Sequence, residues 1–166
     1  VRMILDNSLE SEVLLNDEIK ANCLYVELEQ QRFGGKFDFV LEVDEEIESL
    51  SLRIPPMLIQ PFLENAIKHG LSKRNYEGTV IIRSYERKES YAIQIIDNGV
   101  GMTQEEVKAV MRPYSDARGD SIMGTGLITI YKIVKEHNGL MAISSELDVG
   151  TKIRIIFNEY REETIQ

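Results

Sequence analysis

The segment "IQIIDNGVGM", residues 93–102, ends a strand-like run with one carboxylate, Asp97, followed by Asn98, Gly99 and Gly101. A carboxylate accepts hydrogen bonds, and a glycine lets the backbone approach another group closely and adopt positive φ. Asn-Gly after a strand is also common in simple hairpin turns. The next residues, "TQEEVKAV", have helical rather than strand patterning, so the sequence favours a binding loop over a hairpin.

A second segment, "ENAIKHG" at 64–70, carries polar side chains suited to a metal ion and an anion. Lys68 and His69 follow Asn65 by three and four residues, so all three share one face of a helix. The amide oxygen of asparagine is a hard, neutral ligand that suits Mg²⁺, and a lysine neutralises an anion beside it. The alternative is the ordinary polar surface of an amphipathic helix.

A third segment, "GTGL" at 124–127, places Gly124, Thr125 and Gly126 directly before a predicted helix that begins at Leu127. Unpaired N–H groups and the helix dipole make such a position favourable for anions. The polar stretch before it, residues 112–126, is long for a loop, and long loops are usually functional or mobile.

The pattern of apolar residues predicts the elements that position these segments. Helices are predicted at 12–33, 57–70, 103–111 and 127–139, and strands at 36–44, 78–87, 90–97, 140–146 and 150–157, with a polar connector at 45–54. Pro61 should cost the second helix one backbone hydrogen bond. Strands in tight pairs with helices between the pairs predict an α+β fold, in which helices cover one face of a mostly antiparallel sheet.

Composition excludes several classes of protein. The net charge of −9, from 19 basic and 28 acidic residues, argues against nucleic-acid binding. No window of the sequence is apolar enough to span a membrane, and Cys23, the single cysteine, cannot form a disulfide within the chain. No G-x-G-x-x-G follows the first predicted strand, so a dinucleotide-binding fold is not indicated.

In this order and spacing, the three segments resemble the ATP-binding domain of the GHKL superfamily, which includes sensor histidine kinases, type II topoisomerases, heat-shock chaperones and mismatch-repair ATPases. Residues 64–70 match its N box, "DNGVGM" its first glycine box and "GTGL" its second, within a resemblance that covers residues 37–157. "RIPPMLIQPFLENAIKHG" is similar to LytS-type sensor histidine kinases in particular, and "VELEQQRF" to the segment that joins their phosphoacceptor region to the kinase core. The resemblance implies a two-layer α/β sandwich of the Bergerat type, with a mixed, mostly antiparallel sheet and an ATP lid over residues 103–123.

The resemblance also implies ATP and Mg²⁺ as cofactors and assigns the residues that bind them. Asp97 would accept a hydrogen bond from the exocyclic amine of adenine, where guanine would present a carbonyl oxygen, and Asn65 would be the Mg²⁺ ligand. Lys68 would neutralise phosphate charge, His69 would form part of the site wall, and Thr151 would line the phosphate end. The full set of implied ATP-binding residues is Asn65, Lys68, His69, Asp97, Gly99, Gly101, Met102, Gly124, Thr125, Gly126, Leu127 and Thr151.

One position separates phosphotransfer from hydrolysis. Hydrolytic members of the superfamily carry a glutamate four residues before the N-box asparagine, where it activates water. Here that position is Pro61, and Glu64 lies about 100° round the helix from Asn65, so it cannot replace that glutamate. We therefore expect phosphotransfer, with Glu64 as the candidate catalytic residue that orients the acceptor.

We expect the chain to be the ATP-binding catalytic domain of a sensor histidine kinase, which phosphorylates a histidine upstream of Val1 for relay to an aspartate of a response regulator. Neither His69 nor His137 fits the acceptor role, so the fragment should bind Mg-ATP without phosphorylating itself. Two alternatives stay open: a non-catalytic, nucleotide-binding regulatory module and, less favoured, a GHKL ATP hydrolase.

The expected domain organisation is a helical connector at 1–34, the ATP-binding domain at 35–158 and a tail at 159–166. The expected partners are the upstream dimerisation and phosphoacceptor region, in a homodimeric parent, and the response regulator, with no nucleic acid and no membrane contact by this fragment. By the same resemblance the fragment is a cytoplasmic domain of a parent that is itself a membrane sensor.

Overall fold

A mixed five-stranded sheet organises the chain, which a computed structural model describes over residues 11–49, 51–74, 77–111 and 126–158. The strands are β1 (Val13–Leu14), β2 (Phe37–Val43), β3 (Arg53–Ile54), β4 (Gly78–Arg87), β5 (Ser90–Asp97), β6 (Leu140–Glu146) and β7 (Gly150–Asn158). The helices are α1 (Leu15–Arg32), α2 (Glu45–Ser49), α3 (Gln60–Asn65), α4 (Gln104–Met111) and α5 (Gly126–Glu136). Beyond α3 the chain continues as a π-helical turn (Ala66–Gly70) and a 3₁₀ turn (Leu71–Lys73).

The order of strands in the sheet is β2-β4-β5-β7-β6. β2 pairs with β4 in parallel, and the other neighbouring pairs are antiparallel, which confirms the predicted α+β class with a mostly antiparallel sheet. In this register Asp97, the last residue of β5, lies opposite Val80 on one side and Thr151 on the other. The sheet therefore places Asp97 and Thr151 side by side.

One hydrophobic core lies between the sheet and the helices. Alternate residues of the central strands point into it, including Ile82, Ile93, Ile95, Ile153 and Ile155. The helices contribute Leu15, Ile19 and Val26 from α1, Phe62 and Leu63 from α3, and Leu127, Ile130 and Val134 from α5. The helical spacing of apolar residues predicts these core positions in the first and last helices, and it also predicts Cys23, Phe33 and Tyr131, which are only partly buried against the core. None of the helices within the described ranges is long and apolar enough to cross a membrane.

The predicted polar connector at 45–54 was wrong, because it contains α2 and β3. β3 pairs with β1 in a two-residue antiparallel ladder, and the backbone N–H of Leu15 donates to the carbonyl of Leu52 at 2.8 Å. A two-residue strand is too short to show an alternating pattern, so periodicity could not reveal it. The first helix consequently begins at Leu15 rather than at residue 12.

The second helix begins later than predicted, at Gln60, because Met57 adopts a φ of 57° that a right-handed helix cannot include. Pro61 therefore lies in the first turn, where its missing N–H would have no intrahelical partner. The expectation that Pro61 costs the helix a hydrogen bond was wrong for this reason.

Two substitutions on α1 test whether this helix is part of the core. Val26 is 0% exposed and Leu24 is 54% exposed on the same helix. Val26→Ala should lower the free energy of unfolding by about 2–3 kcal/mol, since it leaves a cavity in the core. Leu24→Ala, the matched control, should change it by less than about 0.5 kcal/mol. Urea denaturation measures both, and equal effects of the two substitutions would show that α1 does not pack as described.

Candidate functional site

Asp97 is a poorly hydrated carboxylate at the end of β5. Its side chain points to the helical side of the sheet, and its Oδ1 accepts a hydrogen bond from the N–H of Gly99 at 2.8 Å. Burial raises the pKa of Asp97 to about 6, although backbone hydrogen bonds from Gly99 and Thr151 and the charge of Arg74 act in the opposite direction. An additional hydrogen-bond donor at this carboxylate would offset the loss of hydration.

The loop after Asp97 packs backbone against backbone on the end of the π-helical turn. A Cβ atom on Gly99 would lie 2.5 Å from the Cα of Gly70 and 2.7 Å from the Oδ1 of Asp97. The N–H of Val100 donates to the carbonyl of Gly70 at 3.3 Å. Only glycine fits at position 99, so the first glycine of the loop is required by a contact within the protein.

Gly101 is required by its backbone conformation as well. Its φ is 68°, and a Cβ atom there would lie 1.9 Å from the carbonyl oxygen of Glu146. The predicted positive φ is confirmed for Gly101 and was wrong for Gly99, which is not among the glycines with positive φ. In both cases the group that a Cβ would meet is protein backbone.

Arg74 connects three parts of the site. Its guanidinium donates to the carbonyl of Gly99 and to the carbonyl of Asp148, each at 2.5 Å. It therefore ties the segment after the 3₁₀ turn to the glycine loop and to the β6–β7 turn. Arg74 was not predicted from the sequence, because an arginine in a polar turn shows no signal that separates it from a solvated one.

Ser145 holds the other side of the site through one hydroxyl group. It accepts a hydrogen bond from the N–H of Met102 at 2.8 Å and donates to the carbonyl of Gly150 at 3.0 Å. The hydroxyl of Thr151 lies 2.9 Å from it. Either hydroxyl of this pair can donate to the other, and in both arrangements the Thr151 oxygen keeps a lone pair as an acceptor. Asp97 and Thr151 thus place hydrogen-bond acceptors beside each other.

Asn65 is the last residue of α3 and is half-buried. Its side-chain amide oxygen is the group that the resemblance assigns to the metal ion. An oxygen of this kind fits Mg²⁺, which takes few protein ligands when phosphate oxygens and water complete its coordination. Lys68 and His69 are exposed on the π-helical turn that follows.

Glu64 has two partners on its own helix. It accepts a hydrogen bond from the side chain of Gln60 at 3.0 Å and forms an ion pair with Lys68 at 3.7 Å. Both members of the ion pair are solvent-exposed, so the pair is weak and Lys68 can leave it for an anion.

The remaining predicted residues divide between the core and the undescribed part of the chain. The side chain of Met102 is buried, and Leu127 lies in the hydrophobic core at the first turn of α5. Gly126 begins α5, whereas Gly124 and Thr125 lie outside the described residues. Of the predicted lid at 103–123, the structure describes only the part up to Met111. There Thr103 and Glu106 form the capping box that their spacing predicts, with hydrogen bonds of 2.7 and 3.2 Å.

Two cavities open among the described residues. One of about 330 Å³ is lined by Asp97, Ser145 and Thr151 of the site, and it extends to Ile81, Ile96 and Lys152, which point to the face of the sheet opposite the helices. Another, of about 640 Å³, lies at the far end of the sheet beside Tyr91 and His137. Of these two, only the larger is separate from the site built around Asp97.

Comparisons with known proteins give a consistent picture. A sequence model of the family described as histidine kinase-, DNA gyrase B-, and HSP90-like ATPase matches residues 55–161. The sensor histidine kinase YpdA of Escherichia coli is 33% identical over 129 residues, which make up 78% of this chain and 21% of that protein. The sensor protein LytS of Oceanobacillus iheyensis is 32% identical over 161 residues, or 94% of this chain and 27% of that protein.

The fold is also that of solved histidine kinases. The histidine kinase AdeS of Acinetobacter baumannii superimposes with a TM-score of 0.66 at 16% identity, covering 96% of this chain and 74% of that one. This likeness confirms the fold predicted from the sequence. The chain spans roughly a quarter of the length of the two sensor proteins.

Asp97→Asn should stabilise the ligand-free protein at neutral pH. The folded pKa of about 6 lies above the ordinary value of 3.8. Protonated Asp97 is better tolerated in the folded protein than ionised Asp97. The stability that depends on its protonation is therefore fully present below about pH 4 and is lost as the pH rises through about 6. At pH 7.5 the neutral asparagine should raise the free energy of unfolding by up to about 3 kcal/mol, a gain that shrinks towards zero near pH 4.

Urea denaturation at several pH values measures this effect. Asp148→Asn, on the exposed β6–β7 turn, is the matched control and should change stability little at any pH. An Asp97→Asn protein no more stable than the unaltered chain at pH 7.5 would contradict the buried, raised-pKa carboxylate.

Proposed function

The chain belongs to the histidine kinase-, DNA gyrase B- and HSP90-like ATPase family, and from this premise we propose that it transfers the γ-phosphate of ATP to a histidine. It acts as the ATP-binding catalytic domain of a sensor histidine kinase. The observation that carries the proposal is the partly buried carboxylate of Asp97, which lies beside Thr151 and the glycine loop that packs on the helix of Asn65.

Asp97 selects adenine by offering acceptors rather than donors. Thr151, which the resemblance assigned to the phosphate end, lies beside Asp97 and is placed at the adenine end in this proposal. The exocyclic amine of adenine supplies a further N–H group to a carboxylate whose hydrogen bonds to Gly99 and Thr151 only partly offset its loss of hydration. Guanine would bring a carbonyl oxygen against the same lone pairs and leave both partners without a donor. A site built to hydrogen-bond one group rejects an analogue that lacks it by several orders of magnitude.

The phosphate end lies towards Asn65 and Lys68. The amide oxygen of Asn65 would hold Mg²⁺, which when bound neutralises charge on the β- and γ-phosphates. Lys68, exposed and only weakly paired with Glu64, binds a phosphate oxygen. The N–H groups at the start of α5 favour an anion at the other side of the phosphates.

Transfer rather than hydrolysis follows from α3. Pro61 occupies the position of the water-activating glutamate and has no side chain that accepts a proton. Glu64, held by Gln60 and Lys68, orients the acceptor histidine.

The acceptor histidine comes from outside this chain. His137 is not the acceptor, because its Nδ1 is bound to the carbonyl of Ile133 at 2.8 Å, at the end of the sheet opposite Asp97. The acceptor belongs to an upstream region of a homodimeric membrane sensor, and the phosphoryl group passes on to an aspartate of a response regulator.

Nucleotide binding should follow the ionisation of Asp97. ADP affinity should be constant between pH 7 and 8 and should weaken below pH 6, by about tenfold per pH unit, because the protonated acid no longer accepts from the adenine amine. Isothermal titration calorimetry over this range measures the effect. Asp97→Asn should bind at least 100-fold more weakly at pH 7.5 and should show no such pH dependence. A pH-independent affinity in the unaltered chain would contradict the role given to Asp97.

Phosphotransfer is tested by adding a separate upstream segment that carries the acceptor histidine, with radiolabelled Mg-ATP. We expect label on that segment, none on His69 or His137, and loss of labelling in Asn65→Ala. Binding of ATP without any transfer would instead identify a regulatory module. Steady release of phosphate without a partner would identify a hydrolase.

A further inference from the structure

A buried carboxylate away from the nucleotide site is bound to the start of the helix that carries Asn65. Glu18 lies on α1 and is 3% exposed. Its Oε2 accepts a hydrogen bond from the N–H of Met57, and its Oε1 accepts one from the N–H of Ile59, both at 3.3 Å. No step of the proposed reaction uses this group.

The segment before α3 cannot cap the helix by itself. Ile59, the residue that precedes the helix, has no side-chain acceptor, and Pro55 and Pro56 offer no N–H groups. Met57 is held at a φ of 57°, which is unfavourable for a residue with a side chain. Glu18 therefore holds the chain that enters α3 from another helix, by accepting the N–H groups of Met57 and Ile59, and its negative charge suits the positive end of the α3 dipole.

The same contact fixes where α3 begins, and therefore where Asn65 lies along the helix axis. Asn65 follows Ile59 by six residues, which is about 9 Å along a helix at a rise of 1.5 Å per residue. Mg²⁺ tolerates little deviation from octahedral geometry, so a shift of α3 along its axis would misplace the amide oxygen. The β1–β3 ladder and the Leu15–Leu52 hydrogen bond tie the beginning of α1 to the same stretch of chain.

We propose that Glu18 is a positioning residue for Asn65, and that it makes the metal–phosphate end of the site sensitive to the placement of α1. This rests on the proposed function, since it assumes that Asn65 binds the metal. A displacement of α1 pulls the carboxylate from the N–H groups of Met57 and Ile59 and releases the start of α3. The adenine end keeps the hydrogen bonds of Asp97, Thr151 and Arg74 and therefore changes less than the metal–phosphate end.

The test compares nucleotide affinity with Mg²⁺ and in EDTA for Glu18→Gln and Glu18→Ala. A cap that acts only on stability would change both affinities alike. In Glu18→Ala we expect the nucleotide affinity in EDTA to stay within about twofold of that of the unaltered chain. The Mg²⁺ gain, which is the ratio of the nucleotide affinity with Mg²⁺ to that in EDTA, should fall about tenfold, which corresponds to about 1.4 kcal/mol. Glu18→Gln keeps one acceptor oxygen and the volume of the side chain. Its Mg²⁺ gain should therefore lie between those of the unaltered chain and Glu18→Ala. Glu27→Gln, exposed on the same helix, is the matched control and should behave like the unaltered chain.

Hydrogen exchange supplies a readout that does not depend on the metal. The amides of Met57, Ile59 and the first turn of α3 should exchange faster in both variants, while those of β5 and β7 should not. An unchanged Mg²⁺ gain in a folded Glu18→Gln protein would overturn the inference, as would equal losses with and without Mg²⁺. The unaltered chain is measured first. If it shows no Mg²⁺-dependent binding, the proposed function fails, whereas a failure confined to the Glu18 variants refutes only the inference.

Discussion

The direct contact between two glycine backbones, Gly70 and Gly99, is the constraint on which the site depends. It presses the end of the helical segment that carries Asn65 against the loop that follows β5. A Cβ atom on Gly70 would lie 3.1 Å from the Oδ1 of Asp97, so the carboxylate occupies the space that the missing side chains leave. Two segments that are separate in the sequence are therefore one structural unit, and neither glycine can be replaced without moving Asp97.

This unit holds the poorly hydrated charge of Asp97 at the position where the ligand would bind. Burial acts against the ionised form of Asp97, and the N–H of Gly99 and the charge of Arg74 compensate only in part, which leaves the pKa near 6. A ligand that brings an N–H group completes the hydrogen bonding of the carboxylate. The ligand-free protein is thus destabilised by the desolvated charge of Asp97, and ligand binding relieves this effect. Such sites are a common reason why stability and function conflict. Arg74 has a second effect, because the same guanidinium joins the glycine loop to the β6–β7 turn.

The sequence predicted the elements whose pattern is local and failed where contacts join distant residues. The alternation in β4, β5, β6 and β7 and the helical spacing in α1 and α5 suffice for their placement within a few residues. The three site segments, at 64–70, 97–102 and 124–127, could also be recognised from the sequence, because each is a short run of unusual composition. The sequence did not predict the β1–β3 ladder, the contact of Glu18 with the start of α3 or the hydrogen bonds of Arg74. The residues that meet in these contacts lie roughly 25 to 75 positions apart and are ordinary in type. The reason given for Gly99 was also incomplete, because it considered the ligand and not Gly70.

The segment from Gln60 to Lys73 shows how one stretch of chain meets two demands. Its hydrogen-bond pattern changes from α to π after Asn65 and from π to 3₁₀ after Gly70, so each change falls beside a residue that the site requires. A π turn closes its bonds over five residues rather than four, which rotates Gly70 relative to Asn65 compared with a regular helix. Asn65, half-buried, is the last residue before the π turn, and Gly70, which meets Gly99, is the last residue within it. The change of helix type therefore falls between the residue that would hold the metal and the glycine that contacts the loop after β5.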